Sequence, residues 1–241
     1  TDTSGRTRLC QAGQMGAGFL GFALTSLAKR ARMSAAIRGM VVLAGMMLLV
    51  ACGEKREGSS SYRQAVMQNR VQRDMQMREK ESVIPPRRRD AFRGLDYYPV
   101  DPTCRYVVPL DRFASPDTVM MAESTGGVRP QQQIGTVTVP LPGGPTELLV
   151  FRGESDAPRG RRWIPFADST NGYATYKGGR YVDLKPAGED SVVVDFNRAY
   201  NPTCAYNPDF ACPLPPPENR LSGPVPAGER RPMFRASASS S

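Results

Sequence analysis

The 241-residue chain contains no histidine. That absence removes Ser-His-Asp and Cys-His catalysis, together with every imidazole-based metal site. Any chemistry must rest on carboxylates, tyrosine, lysine or a cysteine without a histidine partner. No phosphate-binding loop or dinucleotide fingerprint is present either, so no cofactor and no metal is expected. Apolar runs are short: Met40 to Val50 (MVVLAGMMLLV) falls well below the roughly 20 residues that a membrane-spanning helix needs. After residue 81 no helical run of useful length occurs, which excludes an alternating β-α-β architecture. Acidic residues are nearly missing from the first 51 positions, where Asp2 stands alone against Arg6, Arg8, Lys29, Arg30, Arg32 and Arg38. The formal charge of +9 therefore falls to +4 over the remainder, with 26 basic and 22 acidic residues. No basic stripe interleaves with aromatics, so nucleic acid is not an expected partner.

What is present begins with a targeting signal. Lys29, Arg30, Arg32 and Arg38 form a basic flank, and Met40 to Val50 an apolar core. The core ends in Leu49-Val50-Ala51-Cys52, which resembles the lipobox of bacterial lipoproteins. That resemblance implies acylation of Cys52, a membrane partner held through the lipid, and a cell-envelope location. Gly53 after the cysteine points by the same resemblance to the periplasmic face of an outer membrane. Residues 1–32 then read as an upstream segment, with Cys10 given no role, and 33–51 as the signal peptide. Residues 52–61 (CGEKREGSSS) read as a flexible tether.

A single globular domain is expected over 62–230, with a disordered tail over 231–241. Ser60 or Ser61 is placed to cap a helix from Tyr62 to about Lys80, ended by Pro85 and Pro86. Tyr62, Val66, Met67, Val71, Met75 and Met77 recur at helical spacing as an amphipathic stripe, expected to pack on the domain; the alternative is a methionine-rich face that grips a partner. Arg87, Arg88 and Arg89 read as a solvated basic patch. From Phe92 onward the period changes to two. Short runs at Val107-Val108, Val119 to Ala122, Val137 to Val139, Leu148 to Phe151, Trp163 to Phe166, Tyr181 to Leu184 and Val192 to Phe196 alternate with Gly/Pro turns. The fold class is mainly β: an antiparallel sandwich or barrel-like domain with one N-terminal amphipathic helix.

Several blocks in this region share one pattern: Phe92 to Pro102, Ile164 to Phe166 with Asp168 and Thr170 to Gly172, Gly178 to Leu184, Asp195 to Tyr206, Cys212 to Pro216, and Ala227-Gly228-Glu229. Together they resemble the domain-of-unknown-function family 1684 from about Tyr62 to Glu229. The resemblance implies a shared fold and carries no reaction with it. Cys104 stands where that family more often has an aromatic, and Lys177 where it has a small residue.

The densest chemistry lies in Asp195 to Arg220. Cys204 and Cys212 are expected to close a small disulfide loop, with free thiols or a metal site as alternatives. Arg180, Asp183, Asn197, Arg198, Tyr200 and Asn201 form a polar constellation with two readings. In one it is structural, with Arg180 paired to Asp195. In the other, Arg180 and Arg198 are forks for a carboxylate, phosphate or uronic acid beside a tyrosine wall. Asp195 and Glu218 are the candidates for an acid/base pair in a histidine-free hydrolase acting on envelope carbohydrate. The functions open to the chain are thus a lipid-anchored binding domain for a small anionic or sugar ligand or a partner protein, such a hydrolase, or a purely structural envelope module.

Overall fold

Alternation of apolar and polar residues sets the architecture of the computed structural model, which describes residues 59–153 and 160–234. The upstream segment, the signal peptide, Cys52 and most of the tether lie outside the described residues. Five of the seven short runs named above fall within strands, and the other two overrun theirs by one residue, Leu184 and Phe196. One antiparallel sheet has the order β1 (Arg105–Pro109), β8 (Ser191–Asp195), β7 (Lys185–Pro186). The other orders β2 (Asp111–Ala122), β3 (Val128–Leu141), β4 (Gly144–Arg152), β5 (Arg162–Phe166) and β6 (Arg180–Asp183). Among the described residues no sheet closes into a barrel.

The main core forms between the sheets. Leu148 and Val150 of β4, Ile164 and Phe166 of β5 and Val182 of β6 meet Val108 of β1 and Val192 and Val194 of β8. Successive side chains of a strand face opposite ways, so Leu149, Phe151, Trp163 and Tyr181 project from the other face of the five-stranded sheet. There they build a second cluster, in which the Trp163 and Tyr181 rings lie 4.6 Å apart, edge to face. Tyr200, bridged to Tyr181, continues this aromatic ladder. The five-stranded sheet is therefore apolar on both faces where it approaches the cleft described below.

β4 and β5 pair only through Phe151–Trp163 and Arg152–Arg162. Farther along, the side chain of Asn219 fills the gap. Its Oδ1 accepts from the Leu149 N–H at 2.8 Å, and its Nδ2 donates to the carbonyls of Leu149 (3.0 Å) and Pro165 (2.8 Å). Asn219 sits in the 3-10 turn Pro217–Asn219, so the proline-rich run is a strap across two strands as well as an extended surface segment.

Helix α1 spans 59–78, and Ser59 to Ser61 are already helical rather than part of a tether or cap. One compact unit takes in the described residues from Val66 onward; of a second, 13–65, only the helical residues 59–65 are described. Within the first unit, the expected apolar stripe is split. Val66 is buried, but Met67, Val71 and Met75 are exposed. The inward face is instead polar: Arg70 is 7% exposed and donates to the carbonyls of Tyr98 (2.8 Å) and Asn197 (3.1 Å). Guanidinium hydrogen bonds to buried carbonyls thus act together with buried Val66 and with Met77, which packs on the Ile84, Phe92 and Tyr206 cluster, to dock this helix.

Past the helix, Arg88 donates to the Tyr206 carbonyl and stacks on Phe234, and Arg89 donates to the Ile84 carbonyl, so only Arg87 of the three arginines is an exposed surface charge. They form α2 (Pro86–Arg89) with Pro85 as its N-cap. Residues 231–234, expected in the tail, are tied to the domain. Arg231 N–H donates to the Ala174 carbonyl, Arg93 N–H to that of Met233, and Phe234 stacks on Phe92. Residues 235–241 lie outside the described residues. Among the described residues no helix is long and apolar enough to cross a membrane.

Candidate functional site

The sequence constellation divides into a buried half and a half that lines a cleft. Arg180 belongs to the first. β6 turns it inward with Val182, and its side chain is fully buried. Nη2 reaches Asp168 Oδ2 at 2.6 Å and the Val225 carbonyl at 2.9 Å, while Nη1 donates to the carbonyls of Ala227 and Glu229. Its acid partner is thus Asp168; Asp195 pairs with Arg198 at 3.3 Å and caps the turn Phe196–Arg198 through the Asn197 N–H. Asn197 is wholly buried and exchanges two hydrogen bonds with the Asp101 backbone at 2.8 and 2.7 Å. Asp195 is buried at the end of β8, whereas Glu218 is exposed on the turn against β4 and β5.

Gly179 enables the Arg180 arrangement. Its φ of +88° lies in the left-handed region, and a Cβ there would sit 2.5 Å from the Pro215 ring and 2.8 Å from the Phe166 carbonyl. Only glycine fits both the angle and the approach.

Asp183, Arg198, Tyr200 and Asn201 form the second half, and here the structure adds residues that the sequence did not single out. A cleft runs between α1 and the outer face of the five-stranded sheet. It comprises two cavities of about 410 and 380 Å³ that share Arg73, Arg161 and Tyr200. The larger adds Arg129, Tyr181, Tyr206 and Phe210, the smaller Lys185, Arg198 and Asp183. Five cations thus line one groove with aromatic walls. Their acidic partners leave them partly available: Arg161 meets Asp183 at 3.5 Å with both side chains nearly half exposed, and Arg129 meets Glu123 at 2.7 Å. Arg161 also lies over the Trp163 ring at 5.4 Å, and Arg73 over Tyr200 at 4.9 Å. Tyr200 donates to Asp183 Oδ1 at 2.8 Å. Burial, then the Asp183 charge, pushes its phenol up, so it acts in the cleft as a neutral donor.

Beneath the groove is Glu229, fully buried. Asn201 donates to it from Nδ2 (2.8 Å) and from the backbone (3.3 Å), and Arg73 reaches it at 3.4 Å. Loss of solvation outweighs Arg73 and the Asn201 hydrogen bonds, and raises the carboxyl to about 7. Burial, then Glu229, pushes the neighbouring Tyr97 up to about 12. Arg73 is pulled down by burial but raised on balance by Glu229 and Tyr97. Glu229 was visible only as the end of the Ala227-Gly228-Glu229 block. Gly228, at φ +76° with the Phe196 carbonyl 2.5 Å from a would-be Cβ, is what aims it inward.

A further cavity of about 480 Å³ lies on the other flank of α1, between Met67, Val71 and Met75 and the chain at Leu95, Pro99 and Val100. It is mainly apolar and gathers no charged cluster like that of the cleft. Cys204 and Cys212 are held as two buried thiols, with no bond between them. Among the described residues no cluster of three or more metal-ligating side chains occurs.

Comparison with known proteins places this geometry in context. A family model described as "Protein of unknown function (DUF1684)" matches residues 90–230. Among solved structures, the solution NMR structure of an uncharacterized protein from Haloarcula marismortui is 35% identical, with a TM-score of 0.58. The match covers 72% of this chain and 96% of that one. No functionally curated protein matches the chain.

Proposed function

The chain belongs to the DUF1684 family of proteins of unknown function, and from that premise we propose that the groove beside α1 binds a small anionic ligand. The observation that carries the reading is the convergence of Arg73, Arg129 and Arg161 on an aromatic-walled cavity of about 410 Å³. Guanidinium groups recognise carboxylate and phosphate through paired donors, and the tyrosine faces supply area for a planar or sugar moiety. A pocket of this size with few, placed charges suits a small molecule. Asp183, Tyr200 and Asn201 supply the acceptor and donor that would orient it.

Trp163 is the only tryptophan of the chain and lies under Arg161. Titration with uronic acids, sugar phosphates and inorganic phosphate, followed by its fluorescence and by calorimetry, tests the reading. Arg161→Ala lowers the affinity of a hit about ten- to hundredfold, the worth of one charge-assisted contact. An anion that binds equally well to Arg161→Ala and to Lys185→Ala lies elsewhere, and the proposal fails.

We further propose that acylation of Cys52 holds the chain in the cell envelope, on the periplasmic face of an outer membrane. The order of basic flank, apolar core, small residue and cysteine supports it. Metabolic labelling with a clickable fatty acid tests it: label that persists in Cys52→Ala refutes the anchor.

A further inference from the structure

Two buried sulfurs lie side by side next to the groove. Cys204 is the middle residue of the turn Thr203–Ala205, behind the groove wall, and Cys212 lines the 410 Å³ cavity eight positions later. The Cys204 N–H donates to Cys212 Sγ at 3.1 Å. The Tyr176 hydroxyl points at Cys204 Sγ from 3.7 Å, and Ser124 Oγ accepts from the Cys212 N–H at 3.1 Å. The segment between them is a self-bonded loop: Asn207 N–H reaches the Thr203 carbonyl and Phe210 N–H that of Asn207. The two cysteines are therefore held side by side by backbone, hydroxyl and phenol contacts.

We propose that Cys204 and Cys212 form a redox-active dithiol that reduces hydroperoxides, with Cys204 as the attacking sulfur and Cys212 as the resolving one. The contacts divide these roles. Hydrogen bonding from the Cys212 thiol, outweighing burial and helped by Ser124 and Tyr176, lowers Cys204 below the ordinary thiol range. Cys212 supplies the shared proton and is pushed up correspondingly, burial adding to the effect. The thiolate is the reactive form. In the first step the Cys204 thiolate forms an S–O bond with a peroxide oxygen, the O–O bond breaks, and the departing hydroxide takes a proton to become water. In the second, Cys212 Sγ attacks the Cys204 sulfur, the S–O bond breaks, and a second water leaves with the Cys212 proton. Two thiols and one hydrogen peroxide give one disulfide and two waters. An external dithiol returns the pair to the reduced state. The inference stands independently of the anion groove, because its readout is at sulfur.

Hydrogen peroxide is the probe. The full chain, reduced and freed of reductant, is exposed to one equivalent, quenched with an alkylating reagent and mapped by peptide mass. The expected product is a Cys204–Cys212 linked peptide, lost on adding dithiothreitol. In Cys212→Ser, Cys204 stops as a sulfenic acid that dimedone traps. In Cys204→Ser, peroxide consumption falls at least about tenfold, since the attacking thiolate is gone. Circular dichroism of both variants verifies the fold. Two thiols that stay fully alkylated after peroxide overturn the proposal. Dimedone trapped on Cys212 in Cys204→Ser, as fast as on Cys204 in Cys212→Ser, overturns the assignment of roles.

Discussion

Replacing Glu229 with glutamine changes how stability depends on pH, and the size of the change follows from the geometry. The carboxyl is fully buried, and its pKa is lifted from 4.5 to about 7. Below pH 4.5 it is protonated in both folded and unfolded chains. Between 4.5 and about 7 the folded protein keeps a proton that the unfolded chain has released, so stability falls as pH rises. Above 7 both are ionised and the fold carries a buried carboxylate. The gap amounts to about 3 kcal/mol, at about 1.4 kcal/mol per pH unit. The groups facing Glu229 do not titrate in this window. Arg73 stays charged, Tyr97 is pushed up to about 12, Asn201 is neutral, and Arg180 meets only the Glu229 carbonyl. Urea denaturation of the wild type and Glu229→Gln from pH 4 to 8 isolates the effect, because every other carboxyl cancels in the difference. The variant gains about 3 kcal/mol relative to the wild type across that range. A difference that stays flat to within about 1 kcal/mol refutes the assignment of a proton to Glu229 at neutral pH.

The same proton couples to the groove. Neutralising Glu229 releases Arg73, so a bound anion is held several-fold more tightly at pH 6 than at pH 8 in the wild type, and calorimetry on Glu229→Gln shows no such slope. Asp168→Ala strands the Arg180 guanidinium in the core and lowers unfolding free energy by about 3–5 kcal/mol, measured by chemical denaturation. Asn219→Ala removes three hydrogen bonds between strands and costs about 2–3 kcal/mol, with hydrogen exchange at the Leu149 amide rising ahead of its β4 neighbours. Gly228→Ala forces a side chain against two carbonyls at positive φ and abolishes the cooperative thermal transition or lowers its midpoint by several degrees.

The strands were legible because the evidence for them is local. Val137, Val139 and Leu141 share one face of β3, and in β5 Trp163 alternates with Ile164 and Phe166 across the sheet; a period of two needs no tertiary information. The glycine turns were legible for the same reason. The cleft was not, because its cations come from distant parts of the chain: Arg73 from a helix, Arg129 from β3, Arg161 from the residue just before β5. Charge on a helix reads as a solvated face, and so the inward place of Arg70 and Arg73 was missed. Met67, Val71 and Met75 looked like core, yet the surface beneath α1 is made of carbonyls that suit Arg70. Arg180 was open to two readings, a structural ion pair with Asp195 or a fork for a ligand. The strand's alternation carries it inward, as in the first, but to Asp168 rather than Asp195. Of the named candidates, Asp183, Arg198, Tyr200 and Asn201 lie along the groove, while Arg180, Asn197 and Asp195 are part of its supports.

Asn219 stitches together strands that lie 70 and 54 positions earlier, and Arg180 depends on carbonyls of Val225, Ala227 and Glu229. On a ribosome, these partners emerge after every strand of the two sheets. The five-stranded sheet leaves the exit tunnel with an open seam between β4 and β5, and with a guanidinium still waiting for its cage. Folding of this unit is therefore timed by the emergence of residues 219–229 rather than by the appearance of its strands. A nascent chain halted near residue 210 would hold the sequence of every named strand and none of these locks, which makes residues 219–229 the point of commitment for the domain.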